Sequence, residues 1–160
     1  MSSDESFLRE VMVALDRVGL EALVVGTVAA VLNGAPVMTQ DLDLLIRDTP
    51  KNREKIGKLS TALQIAAPVE ISELSRSLTL LGGALPIDIL FDALPGGLTF
   101  EALRSRSSRV QIGDSAATVA ALTDVIASKE AAGRPKDLAQ LPILRETQRV
   151  RGALKGVTST

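Results

Sequence analysis

The sequence predicts a single α/β (α+β) domain, a small mixed β-sheet flanked by helices with a helical C-terminal third. Three observations predict it. Short apolar runs closed by Gly or Pro alternate with longer segments of helical period. At 160 residues the chain is close to the commonest size for one domain. Hydrophobic residues make up 46% of the chain but aromatics only 2%, so Leu, Ile, Val and Ala must build the core.

Phe7, Leu8, Val11, Met12, Leu15 and Val18 recur at helical spacing, which predicts a helix over 4–18, capped by Ser3 or Asp4 and ended by Gly19. Residues 22–25 form a short apolar run with two valines, a buried strand that stops at Gly26-Thr27. A short helix over 28–33, closed by Gly34, leads past Pro36 into a strand over 41–46, where Asp-Leu-Asp-Leu alternates. Pro50 suits the first turn of the next helix, whose charged stretch 51–64 keeps Ile56, Leu59 and Leu63 as a narrow inner stripe. Runs 76–81 and 85–91, joined by Gly82-Gly83, read as a β-hairpin. Pro95-Gly96-Gly97 is a loop, 100–106 a helical turn and 109–112 a short strand. A helix over 120–132 ends at Gly133; Pro135 starts another, and Pro142 breaks or restarts it. The domain spans 1–151, and the Gly-, Ser- and Thr-rich residues 152–160 form a flexible C-terminal tail.

The residue types narrow the chemistry. There is no Cys and no His, which excludes thiol nucleophiles, disulfides, His-based triads and zinc sites built on those residues. Carboxylates, Lys, Arg, Ser, Thr and backbone groups must carry any reaction, and such a set favours the hard cations Mg²⁺ or Mn²⁺. A formal net charge of −1 sets up no global field toward nucleic acid, and without Trp or Tyr there is little to stack unpaired bases. Six bases against two acids in residues 134–160 read as a solvated basic helix end. The first residues are polar and acidic, unlike a secretion signal, and Gly26, Gly34 and Pro36 make residues 22–40 a poor membrane span. The expectation is a cytoplasmic protein with no membrane partner.

Three features carry chemistry. Gly26-Thr27 sits where a strand meets a short helix, so a sharp backbone turn, free N–H groups and a hydroxyl could hold a phosphate. In Asp41-Leu42-Asp43-Leu44 the i, i+2 spacing puts both carboxylates on one strand face and both leucines on the other. Adjacent acids repel unless a cation lies between them, as in two-metal phosphoryl-transfer sites. Alone, the motif equally fits a strand whose polar face meets water. Asp88 lies within the apolar run Pro86-Ile-Asp-Ile-Leu90 and needs a partner such as Arg76 or Arg104, unless it is a third metal carboxylate or the base that takes a proton from an attacking hydroxyl.

The order and spacing of these pieces resemble the nucleotidyltransferase superfamily: Gly26-Thr27, thirteen residues, the acid-apolar-acid strand, then a third acid on a later strand. Thr39 ahead of Asp41, Asn33-Gly34, Ser128-Lys129 and Arg134-Pro-Lys-Asp137 look like its small AbiEii-like branch, related to type IV toxins. The resemblance covers roughly residues 20–145. It implies that Asp41, Asp43 and Asp88 are the catalytic, metal-binding acids, holding Mg²⁺ or Mn²⁺. It implies that Gly26, Thr27, Lys129, Arg134 and Lys136 bind the NTP, whereas Asp137 reads better as a helix cap. Thr27 is bulkier than the Gly or Ser commoner there, and the chain lacks the extra domain that many relatives use to hold an acceptor.

The implied activity moves a nucleoside monophosphate from an NTP to a hydroxyl on RNA, protein or a small molecule. The branch also suggests a toxin–antitoxin component with an antitoxin or regulator partner. A noncatalytic nucleotide- or partner-binding member of the fold is the rival reading, and a plain structural α/β domain is the third.

Overall fold

A computed structural model describes residues 2–66 and 77–158. The elements run α1 (Ser3–Val18), β1 (Leu23–Val25), α2 (Gly26–Leu32), β2 (Leu42–Ile46), α3 (Pro50–Ala62), β3 (Ser77–Leu80) and β4 (Ile87–Phe91). They continue with β5 (Ala93–Leu94), β6 (Leu98–Thr99), α4 (Phe100–Arg106), β7 (Ser108–Ile112), β8 (Ser115–Val119), α5 (Leu122–Ala132) and α6 (Pro135–Thr158). Six strands form one mixed sheet in the order β3-β4-β2-β1-β8-β7, and β5 and β6 pair separately. β2 lies parallel to β4 and antiparallel to β1, while β1 runs parallel to β8. Among the described residues no helix is long and apolar enough to cross a membrane.

Local chemistry explains the element ends. α1 begins at a capping box in which Ser2 and Glu5 satisfy each other's backbone N–H, one residue ahead of the expected cap. It closes on Gly19 in the left-handed conformation. Thr49 caps α3 with Pro50 behind it, and Gly133 ends α5. α1 packs on α3, β7 and β8, while α2 packs on β1, β2 and α5, and α5 on α6. The core is aliphatic, with Leu23, Leu42, Leu44, Leu45, Ile46, Ile87, Ile89 and Leu144 among its most buried side chains.

The structure corrects several expectations. α2 starts at Gly26 rather than at residue 28, because the chain turns into helix directly from β1. The hairpin exists, but β3 and β4 are joined by residues 81–86 rather than by a tight Gly82-Gly83 turn. The glycines serve separate ends: Gly82 takes φ +117°, and a Cβ on Gly83 would lie 2.5 Å from the buried Phe7 ring. Arg76, the expected start of that hairpin, lies outside the described residues. β8 was not expected at all. Its Ser-Ala-Ala-Thr-Val sequence has weak strand propensity, yet Gly113-Asp114 turns the chain into it and β1 pairs along its other edge. Residues 93–99 hold a two-stranded ribbon around the expected loop.

Pro142 neither breaks nor restarts α6, which runs through it. A proline inside a helix costs about 3 kcal/mol. Leu141 and Leu144 on either side of it are buried in the core, and that burial holds the helix together. The same helix extends over residues 152–158 of the expected tail.

The packing of Gly83 on Phe7 gives a first prediction. Gly83→Ala should lower stability by about 1–3 kcal/mol through overpacking, read from the urea unfolding midpoint. Phe7→Leu in the same chain should recover part of the loss. Equal midpoints for Gly83→Ala and the wild-type protein would show that the 81–86 segment does not press on α1.

Candidate active site

The site grows from one row of residues across four strands. Strand register sets Val25 of β1 opposite Asp43 of β2, Asp43 beside Asp88 of β4, and Asp88 opposite Thr79 of β3. The flanking Leu42, Leu44, Ile87, Ile89, Leu78 and Leu80 are buried on the other face, so alternation turns both acids toward the cavity. Asp41 stands one residue ahead of β2, where the Thr39 hydroxyl donates to its carbonyl oxygen at 2.6 Å. Carboxylate oxygens of Asp41, Asp43 and Asp88 lie within 4.8 Å of one another.

Gly26 makes this cluster geometrically feasible. It has φ +65°, and a Cβ there would stand 2.2 Å from Asp43 Oδ2. Any side chain would therefore displace the carboxylate. Thr27, next in the chain, accepts from Lys129 Nζ at 3.1 Å and donates to Gln140 Oε1 at 3.2 Å, linking α2 to α5 and α6.

A second cluster faces the acids across a cavity of about 600 Å³. Asp137 in the first turn of α6 is 2% exposed and accepts from Arg134 Nε at 2.7 Å and Nη2 at 3.3 Å. Lys129 Nζ lies 3.7 Å from the same carboxylate. Lys129, Arg134 and Lys136 thus line one side of the cavity and the three acids another, with Ser77, Thr79 and Leu90 along the sheet.

The charges perturb one another. Burial, then the charges of Asp41 and Asp88, push the Asp43 carboxyl up to about 7, opposed by Lys129. Burial and Asp88 raise Asp41 as well, opposed by Lys136. Burial pulls Lys129 below its ordinary range, although Asp137 and Asp43 favour its charge. Asp137 is also buried, which alone would raise it, yet Arg134 and Lys129 hold it below the usual carboxylate range.

All eight residues singled out in the sequence for metal or nucleotide meet here. Asp41, Asp43, Asp88, Thr27, Lys129, Arg134 and Lys136 line the cavity, and Gly26 packs on Asp43. Asp88 does not pair with Arg104, which bridges to Glu21 instead. Asn33 serves packing: its side chain donates to Ala29 and Ala120 carbonyls and accepts from Arg151. Sequence reading gave Asp137 only a capping role and missed Thr79 and Gln140. The i, i+3 spacing of Arg134 and Asp137 was a usable signal for the first; nothing local marks Gln140.

No protein-family sequence model matches the chain, and no curated protein matches it. Solved structures do. The antibiotic-resistance factor ANT(2'')-Ia in solution superposes with a TM-score of 0.64 at 14% identity, covering 98% of this chain and 93% of that one. The fold is that of the nucleotidyltransferases. A crystal structure of ANT(2'')-Ia with adenylyl-2''-tobramycin gives 0.60 at 14% identity, over 98% and 99% of the two chains. The Thermotoga maritima protein TM1012, of nucleotidyltransferase type, gives 0.56 at 18% identity over 93% and 91%.

The acid cluster predicts a pH dependence. The folded Asp43 pKa of about 7 exceeds the ordinary 3.8, so the folded state binds more protons between those values. Stability of the metal-free protein should therefore fall as pH rises from about 4 through about 7, by up to about 1.4 kcal/mol per unit, and stay low above. Asp43→Asn should flatten that slope and raise the urea midpoint at pH 8. An unchanged slope in the variant would remove Asp43 as its source.

Proposed function

We propose that the protein is a divalent-metal-dependent nucleotidyltransferase that moves a nucleoside monophosphate from an NTP to a hydroxyl acceptor. The observation that carries this reading is the facing arrangement of three carboxylates and three cations across one cavity. The donor set fits the ion. Mg²⁺ or Mn²⁺ takes oxygen ligands at about 2.1 Å, so oxygens on opposite sides of one ion stand about 4.2 Å apart. Only one pair of three such ligands can be opposite and neighbouring ligands stand about 3 Å apart, so carboxylates within 4.8 Å of one another would draw together around the ion. An ion there would also neutralise carboxylate charge that burial and mutual repulsion both disfavour at Asp43 and Asp41.

Asp41, Asp43 and Asp88 would hold the metal, which supplies polarisation of the reacting phosphate and charge neutralisation on the leaving group. Lys129, Arg134 and Lys136 would hold the triphosphate, with Asp137 keeping two of them in place. The α2 backbone behind Gly26 and the Thr27 hydroxyl would share that load. Asp88 would accept the proton of the acceptor hydroxyl. The acceptor oxygen would then attack the α-phosphorus as the bond to the α–β bridging oxygen breaks, and pyrophosphate would leave against the basic wall.

A small-molecule hydroxyl is the acceptor best supported by the fold neighbours, since ANT(2'')-Ia holds an adenylylated tobramycin on a chain of nearly the same extent. An RNA or protein acceptor, with an antitoxin or regulator as partner, follows instead from the resemblance to the type IV toxin branch. Lys129 and the Arg134–Asp137 segment, part of that resemblance, sit at the cavity. A cytoplasmic setting with ready NTP fits either acceptor.

The test is transfer of label from each α-labelled NTP, with Mg²⁺, to pools of RNA, protein and hydroxylated small molecules. Asp43→Asn should reduce transfer on the order of 10²–10⁴-fold, since a metal ligand's charge is worth several kcal/mol in the transition state. Thr27→Ala should cost roughly tenfold, because backbone N–H groups share the phosphate. Asp48→Asn, at the far end of β2 and paired with Arg53, should transfer at the wild-type rate. No transfer to any pool would favour a noncatalytic nucleotide-binding role.

A further inference from the structure

The row across the sheet does not end at the acids. Its outermost member is Thr79, which register places directly opposite Asp88 in the antiparallel β3–β4 pair. Residues so paired have Cβ atoms about 4.5–5.5 Å apart, within reach of a hydroxyl. The Thr79 hydroxyl donates to Asp88 Oδ1 at 2.7 Å. Among the described residues it is the one side-chain hydroxyl that bonds a carboxylate of the triad; Thr39 bonds a backbone oxygen instead.

The bond is fixed by the strand rather than by chance rotation. Leu78 and Leu80 on either side of Thr79 are 8% and 0% exposed, which locks β3 in register. A β-branched side chain has restricted χ1, so the hydroxyl is held toward its cross-strand partner. Thr79 is itself exposed and lines the cavity, and it supports no core packing there. Asp43 is confined by the Gly26 backbone and the Asp41 carbonyl by Thr39, whereas Asp88 has Thr79 as a hydroxyl donor from the neighbouring strand, beside its contacts with the other two acids.

We infer that Thr79 is a positioning residue: by donating to Asp88 Oδ1 it aims the other carboxylate oxygen at the metal. The inference rests on the metal reading of the triad. A hydroxyl that occupies one lone pair of a ligating carboxylate fixes its rotation about χ2 and reduces the entropy lost on coordination. Such outer partners typically contribute 10–100-fold to metal affinity or activity. Thr79 reaches the triad through Asp88, so its effect passes through that carboxylate.

The experiment uses the full chain and Mn²⁺ alone, titrated by the electron paramagnetic resonance signal of the free ion and by the rise in melting temperature. Thr79→Val keeps the shape and strand propensity and removes the hydroxyl, so its metal-free melting temperature should match wild type. Its Mn²⁺ affinity should fall about tenfold, and Thr79→Ser should restore it to within roughly threefold. Nucleotide transfer by Thr79→Val should recover at high Mn²⁺. Asp88→Asn serves as the reference for complete loss of the ligand.

Equal Mn²⁺ affinity in wild type and Thr79→Val overturns the positioning role while leaving the metal site intact. No Mn²⁺ binding by wild type overturns both the metal reading and this one. If labelled NTP marks the protein itself and Thr79→Val abolishes the mark, Thr79 is an acceptor rather than a positioning residue.

Discussion

Two carboxylates side by side on adjacent parallel strands are the constraint on which the rest of this site depends. Asp43 and Asp88 are register partners, and Asp41 completes the cluster, so their mutual repulsion is built into the sheet. Burial first, and the charges of Asp41 and Asp88 second, hold the Asp43 carboxyl well above its ordinary range. The fold tolerates this because hydrophobic side chains hold the strands together on the opposite face. Leu42, Leu44, Ile87 and Ile89, at most 1% exposed, fix β2 against β4 regardless of the charge on the acids.

The neighbours of the acids are shaped by the same constraint. Gly26 has to be a glycine because Asp43 occupies the space where a Cβ would stand. The turn from β1 into α2 is therefore set by the carboxylate as much as by any ligand. On the far side of the row, Thr79 offers a donor to Asp88 where another acid or an apolar residue would leave it unsupported. An outward-facing sheet surface carries chemistry here because its flanking strands carry packing.

The opposing wall solves the reverse problem. Lys129 is buried, which disfavours its charge, and Asp137 supplies a counter-ion from a nearly closed position. Arg134 grips the same carboxylate from outside. A buried carboxylate holding two cations costs desolvation that the pairing offsets, and it fixes where those cations point. The result is a cavity with separated signs of charge, suited to an anion bridged to metal.

The chain by itself determined a good part of this. Asp41, Asp43 and Asp88 were legible because strand alternation with buried leucines and isoleucines dictates which way each acid faces. Gly19, Gly133, Pro50 and the stripe Ile56, Leu59, Leu63 were legible because caps and helical period are local. Tertiary structure decided what depends on partners distant in sequence. β8 forms because β1 and β7 offer edges to a weak strand sequence, and α6 survives Pro142 because Leu141 and Leu144 reach the core. Asp137 became a charge anchor, and Thr79 and Gln140 reached the site, only once α6 and β3 were laid beside α2, α5 and β4. Local sequence encodes which face a side chain takes and where an element ends. Hydrogen-bond partners dozens of residues away are chosen by packing and register, which no local pattern contains.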